Sequence, residues 1–247
     1  KVTVIRRKQL KNIYSDNAVK WVKEIIIEKM NNQVAMLLAL KQNEDEAGQR
    51  RIAAAINSIE DHKQKIRKAD AESVADIAAS LRGWEGAASR RYFESLSACL
   101  PEEYRFEKRS RQPAEDKFNA MLNYGYGMLY GKVEGALIKA GIDPYLGIFH
   151  RDDYNRPALV YDVIEKFRIW IDYVVIHLCL QNAMTEECFN QDEGMLLLDG
   201  LGKRIVIQSV NDYLAEIISF GGFERSRAEH INLFAQRLAS LFMNFKS

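Results

Sequence analysis

Asp162 and Glu165 stand three residues apart in a stretch whose apolar side chains, Leu159, Val160, Val163, Ile164 and Phe167, recur at helical spacing. On a helix that separation makes the two carboxylates neighbours on one face, about 4.5 Å apart along the axis. Two carboxylates on the inner side of a helix are costly to bury unless something positive sits between them. His150 comes before them at the end of an apolar approach (Leu146, Ile148, Phe149). A short polar loop follows, then Pro157, whose missing N–H costs nothing in the first turn of a helix. A histidine folded back over that turn would join oxygen donors to an imidazole, a set suited to a divalent metal. An i, i+3 acid pair is more often a solvated helix face, and a lone histidine an ordinary core or surface residue. Spacing alone leaves both readings open.

The chain that must position these groups has 247 residues, enough for one large domain or two small ones. Its 47% hydrophobic and 28% charged content is that of a globular protein, and 4 Pro with 14 Gly argue against a turn-rich sandwich or barrel. A net charge of +1 excludes a globally basic protein, so a nucleic-acid surface must come from local clustering. Cys99, Cys179 and Cys188 form no CxxC motif and no even framework, which favours reduced thiols packed in a core. The longest apolar run, residues 169–180, carries Asp172 and His177 and is too short and polar to span a bilayer. No signal peptide is visible, so no membrane association and a cytoplasmic location are expected.

The elements read as mostly helical and as one domain. Apolar periodicity predicts helices over residues 16–41, 50–67 and from about 71 to Pro101, where the third stops. A basic irregular segment (Arg105, Lys108, Arg109, Arg111) leads to Pro113, which is expected to open a long helix ending at Gly141. Glycines 125, 127, 131 and 135 would weaken that helix by roughly 1 kcal/mol each, unless another backbone or a nucleic acid comes close. After the Pro157 helix, residues 195–198 and 204–207 read as a small β-hairpin around Asp199-Gly200. Ser209 is expected to cap a helix to about 219, and residues 225–245 form a last amphipathic helix. Residues 1–5 read as a strand whose partners are missing, so residues 1–15 are taken as the remnant of a linker or of an N-terminal β-domain. The working division is 1–15 and an α-helical domain over 16–247.

Three segments in this order carry a resemblance. The first is Arg82-Gly83-Trp84-Glu85-Gly86-Ala87-Ala88-Ser89-Arg90-Arg91-Tyr92-Phe93. The second is Arg109-Ser110-Arg111-Gln112-Pro113 followed by Asp116-Lys117-Phe118-Asn119 and Asn123-Tyr124-Gly125-Tyr126. The third runs from Gly141 through Pro144 to His150 and on to Asp162, Glu165 and Arg168. Together they resemble the catalytic α-helical domain of the CRISPR-associated integrase, the universal spacer-acquisition nuclease of CRISPR adaptation. The resemblance covers nearly the whole chain. It implies a mainly α, multi-helix catalytic domain, with the family's N-terminal β-domain absent here. It implies a homodimer, which family members form largely through that β-domain. It also implies a second small CRISPR adaptation protein as partner, and in some members a fused reverse transcriptase or other module upstream.

Carried over by position, the resemblance makes Glu85, His150 and Glu165 ligands of Mg²⁺ or Mn²⁺, with Asp162 near the site as a supporting or alternative ligand. It further implies that prespacer 3′-OH ends attack phosphodiesters at the boundaries of the CRISPR repeat, so the substrate is double-stranded DNA. Candidate phosphate contacts are Arg90, Arg91, Lys108, Arg109, Arg111, Arg151 and Arg156, which flank all three ligand segments, with Arg105 beside them. Asn123 is a candidate hydrogen-bond donor to a carboxylate or phosphate. Among Tyr124, Tyr126 and Tyr130, which read as core, Tyr130 is the one chosen to touch substrate. Lys166 and Arg168 either brace the acids or face solvent, and Glu134 reads as a helix-surface residue. The alternatives are a hydrolytic nuclease on branched or single-stranded DNA and a non-catalytic DNA-binding scaffold.

Overall fold

In a computed structural model of the chain, residues 2–111, 113–150, 156–192 and 194–244 are described. Ala18, Val22, Ile25, Ile26, Met30, Leu37 and Leu40 bury one side of helix α2 (Asp16–Lys41). Against it lie α3 (Glu46–Lys68), capped by the Asp45 carboxylate on the Gly48 amide at 2.8 Å, and α4 (Val74–Ala98). The three pack on one another as a helical layer; α2 has its expected span and α4 stops before Pro101 as expected, whereas α3 starts at Glu46, four residues earlier than expected, because the Asp45 cap begins it there. Before them, α1 (Val2–Ile13) lies against α2 and against the last helix, α9 (Arg227–Asn244). Residues 2–5 are thus helical, which corrects the expected strand: Ile5 is buried and Val2 lies beside Gly141, one turn apart on the same helix face, while Val4 is exposed.

The second half is built around α5 (Lys117–Lys139), on which pack α6 (Ala158–Ile164), α7 (Arg168–Leu180), α8 (Gly200–Ala215) and α9. The start of α5 is set by Asp116, whose carboxylate accepts the Asn119 amide at 2.7 Å, and not by Pro113. The segment before Asp116 is drawn elsewhere, because the Ala114 carbonyl accepts the Leu196 amide at 3.1 Å. Gly141, at φ +82°, ends the helix as expected. Only Gly125 among the α5 glycines is closely approached: a Cβ there would stand 2.5 Å from Ile171 Cγ2. At Gly127, Gly131 and Gly135 a Cβ would meet nothing within 4 Å, so close backbone approach does not explain them.

Two antiparallel strand pairs complete the described residues, not one. The first pairs β1 (Phe189–Asp192) with β2 (Met195–Leu198), in register Phe189 with Leu198. The expected partner, residues 204–207, lies inside α8, because the Asp199 side chain accepts the Gly202 amide at 2.7 Å and starts a helix where a turn was expected. Ser209 is therefore interior to that helix, which ends at Ala215. Gly202 is required there: a Cβ would lie 2.2 Å from the Cys188 carbonyl oxygen. The second pair, β3 (Ile217–Phe220) with β4 (Phe223–Ser226), turns at Gly221 and Gly222, both at positive φ. The three cysteines are unpaired, and no helix of the described residues is long and apolar enough to cross a membrane.

Candidate functional site

On α4 the buried stripe Leu81, Ala88, Tyr92 is interrupted by Glu85 and Ser89. On α2 the buried stripe is interrupted in the same way by Lys29 and Gln33. The two polar pairs face one another. Lys29 Nζ is ion-paired with Glu85 Oε1, and Gln33 Nε2 donates to Ser89 Oγ at 3.4 Å. Ser89 Oγ in turn donates to Glu85 Oε1 at 3.0 Å.

The same Lys29 ammonium lies 2.6 Å from Glu165 Oε2. Glu165 is not inside a continuous helix: the Pro157 helix ends at Ile164, and α7 begins at Arg168. At this break Glu165 reaches Lys29 with one oxygen and Arg168 Nη2 with the other, at 3.2 Å. Burial would raise the Glu165 pKa, but Arg168 and Lys29 hold the carboxyl down at about 2. Burial would discharge Lys29, but Glu165 and Glu85 outweigh it and raise its pKa.

Asp162, 2% exposed, is directed to the His150 segment. Its Oδ2 accepts the amides of Ile148 (2.7 Å) and Phe149 (3.1 Å). Its Oδ1 accepts the His150 amide (2.9 Å) and pairs with His150 Nδ1 at 2.6 Å. A carboxylate can only accept, so Nδ1 carries the proton and the neutral ring has its lone pair on Nε2. Two outside elements hold this segment. Arg82 Nη1 donates to the Phe149 carbonyl at 3.4 Å from one turn before Glu85 on α4. Buried Gln9 of α1 donates to the Asp143 carbonyl (2.8 Å) and accepts the Asp143 amide (3.0 Å).

Glu85, Glu165, His150 and Lys29 line a single cleft of about 880 Å³, together with Arg90, Lys108, Arg109, Arg111, Asn123, Tyr130 and Arg156. Arg90, Lys108, Arg111 and Arg156 are exposed on it. Glu94 and Glu107 also line it, so its wall is mixed and not uniformly basic. Arg91 pairs with Glu94 at 3.1 Å and is not among the lining residues, nor is Arg105, whose Nε donates to the Leu100 carbonyl. Arg151 lies outside the described residues.

Arg109 and Asn123 turn their polar atoms to the protein. Arg109 donates to Asn119 Oδ1 and Asn123 Oδ1, both at 2.6 Å, and to the Ser110 carbonyl. Asn123 Nδ2 donates to the Ser110 and Arg111 carbonyls. These bonds tie the basic segment to α5. The Tyr130 ring packs on Tyr161, at 5.2 Å between centroids. Lys166 does not brace Glu165: it pairs with Glu28 and sits over the Phe220 and Phe234 rings. Glu134 is half-buried on α5 and does not line the cleft.

Behind Glu165 lies a network that sequence reasoning missed. Buried Asp172 accepts the Tyr92 hydroxyl at 3.0 Å and the Tyr126 hydroxyl at 2.5 Å, and the Arg168 guanidinium stands 4.9 Å over the Tyr126 ring. Burial pushes the Asp172 carboxyl up, and the two hydroxyls oppose that shift. Lys29 and Gln33 were missed too, although each continues the buried period of α2 with a polar residue, a signal present in the sequence.

Among the described residues no three His, Cys, Asp or Glu side chains converge as metal ligands. The structure forms two pairs, Glu85 with Glu165 about Lys29 and His150 with Asp162, on one cleft. The donors still fit a hard divalent cation. Two carboxylates already share one cation, and buried Glu165 Oε2 meets Lys29 as an ion pair without hydrogen-bond alignment. With the carboxylate on Nδ1, the lone pair of Nε2 of His150 is the ring's remaining donor to a cation.

The family model for CRISPR associated protein Cas1 matches residues 1–212. A curated relative from Methanospirillum hungatei, CRISPR-associated endonuclease Cas1 4, is 32% identical over 226 residues, covering 91% of this chain and 59% of that protein. This chain spans less than two thirds of the length of such relatives. A solved casposase bound to integration product is similar over 98% of this chain and 69% of that one, at 27% identity and a TM-score of 0.85. A Cas6-RT-Cas1–Cas2 complex shares the fold over 97% of this chain and 25% of that one, at 24% identity and a TM-score of 0.84.

Proposed function

The chain belongs to the CRISPR-associated Cas1 family, and on that premise we propose that it is a metal-dependent DNA integrase/endonuclease, inserting prespacer DNA into a CRISPR array by 3′-OH attack on repeat phosphodiesters. One observation carries this reading. Glu85 and Glu165, from distant parts of the chain, meet on one cation in a cleft that also holds His150 and is edged by Arg90, Lys108, Arg111 and Arg156. A casposase bound to integration product has the same fold at 27% identity, which supports strand joining over simple hydrolysis.

Glu85, Glu165 and His150 Nε2 would hold the metal, either Mg²⁺ or Mn²⁺. Bound there, it would supply charge neutralisation at the scissile phosphate and acidify the attacking hydroxyl. Asp162 keeps the proton on Nδ1 of His150 and fixes the ring through the 148–150 amides. Arg168 sets the Glu165 carboxylate in place. The exposed cations of the rim would grip phosphates without reading sequence, so binding would weaken with salt. Arg109 and Asn123 serve this rim by fixing the segment that bears Lys108 and Arg111. The partners that go with this reading are double-stranded DNA, a second copy of the chain and a small CRISPR adaptation protein. An upstream reverse transcriptase, present in the Cas6-RT-Cas1–Cas2 complex, is a further one.

The test incubates the protein, with its small adaptation partner, with a 3′-OH oligonucleotide and a supercoiled plasmid carrying a CRISPR repeat. Covalent joining at the repeat boundaries is expected. Nicking without joining would make the protein a hydrolytic nuclease, and binding without either would make it a scaffold.

A further inference from the structure

Lys29 is buried: the residue is 9% exposed, and its ammonium contacts carboxylates from two different elements, Glu85 of α4 and Glu165 at the α6–α7 break. Nothing in the apolar rhythm of α2 calls for a lysine between Ile26 and Leu37. It sits on the buried stripe with its ammonium against these two acids. Enclosed carboxylates that lie this close repel one another unless a cation stands between them. The ammonium does so, and with Arg168 on the far oxygen of Glu165 the four charges sum to zero.

We infer that Lys29 is the internal counter-cation of the Glu85–Glu165 pair, and that its ammonium and a divalent metal exclude one another there. This rests on the proposed metal site. Both cations would draw on the same two carboxylates, and a divalent ion placed beside the ammonium would leave two like-signed cations in contact within the cleft. Metal entry therefore releases Lys29. Lys29 is a positioning residue: without metal it keeps the two acids gathered, and it sets a threshold for loading that a neutral side chain would lower.

The wild-type protein provides the first test. A brief pulse of an amine-acylating reagent, followed by peptide mass spectrometry, reads the accessibility of Lys29 in EDTA and in millimolar Mn²⁺, with exposed Lys65 as internal control. Lys29 labelling is expected to rise several-fold with Mn²⁺ while Lys65 stays constant. Mn²⁺ bound with Lys29 still protected would overturn the inference. The second test titrates Mn²⁺, followed by electron paramagnetic resonance, into wild type, Lys29→Met and Glu85→Gln. Lys29→Met is expected to bind at least about tenfold more tightly than wild type and to melt at a lower temperature in EDTA. Equal or weaker binding overturns the inference while leaving the metal site standing. If neither wild type nor Lys29→Met binds Mn²⁺ in a Glu85-dependent way, the metal reading and the inference both fall. Binding by Lys29→Met alone supports the exclusion. Should Lys29→Met fail to fold, the wild-type labelling decides.

Discussion

Replacing Asp162 with asparagine changes one atom in a buried position and leaves the shape intact. Oδ2 serves the Ile148 and Phe149 amides, and Oδ1 serves the amide and Nδ1 of His150. With the NH₂ on the Ile148 side it faces two donors and two hydrogen bonds to a charged acceptor are lost; on the His150 side the bond from the His150 amide is lost and the bond to the ring reverses. Such bonds contribute about 1.5–3 kcal/mol each, so the less costly orientation puts the destabilisation of Asp162→Asn at roughly 1.5–3 kcal/mol. For a chain of this size that lowers the melting temperature by roughly 3–12 °C. With the NH₂ on the Ile148 side, the loop carrying His150 loosens. With the NH₂ on the His150 side, Nδ1 becomes an acceptor, the ring proton moves to Nε2 and the lone pair needed for a ligand is gone. Both routes weaken metal binding, by about 10–100-fold for a partner of this kind. Thermal melting in EDTA measures the first effect with no metal involved, and a Mn²⁺ titration measures the second. A melting temperature within about 2 °C of wild type, with unchanged Mn²⁺ affinity, would refute the role given to Asp162.

Four further outcomes are expected. Glu85→Ala and His150→Ala each abolish strand joining and leave DNA binding in gel shifts nearly intact; wild-type joining by either contradicts the assignment. Arg90→Ala, Lys108→Ala and Arg111→Ala each make the dependence of DNA affinity on salt shallower by about one phosphate contact; an unchanged slope removes that residue from the interface. Arg109→Ala lowers the melting temperature and opens the 105–113 segment to protease, and Arg109→Lys does not restore it because the planar fork is lost. Full protection in either variant contradicts the anchoring role. Gly125→Ala is destabilising because its Cβ meets Ile171, whereas Gly131→Ala, in open space, adds about 1 kcal/mol of stability; denaturant unfolding reads both.

The sequence was most legible where local periodicity and capping act alone. Helix α2 begins and ends at the expected residues, and Gly141 ends α5 as its place in the pattern requires. It was least legible where one signal had two meanings. Asp199-Gly200 suits a hairpin turn equally well as a helix start, and the side-chain cap on Gly202 decides for the helix. The strand-like residues 2–5 become helical because α9 and the 141–147 loop offer them a surface. Asp162 and Glu165 were read as neighbours on one helix face. Glu165 keeps helical dihedrals at the end of α6, yet its carboxylate pairs with Lys29 and Arg168 while that of Asp162 serves the His150 segment. Only the fold could reveal Lys29 between the acids, since its partners lie on other elements, although a lysine on a buried stripe was a visible anomaly.

Whether Glu85, Glu165 and His150 share one divalent cation can be read from anomalous scattering by crystals soaked in Mn²⁺. A single strong peak within bonding distance of the two carboxylates and of His150 Nε2, with the Lys29 side chain moved away, is the predicted result. A map with no peak there and Lys29 still bridging Glu85 and Glu165 at millimolar Mn²⁺ would contradict it.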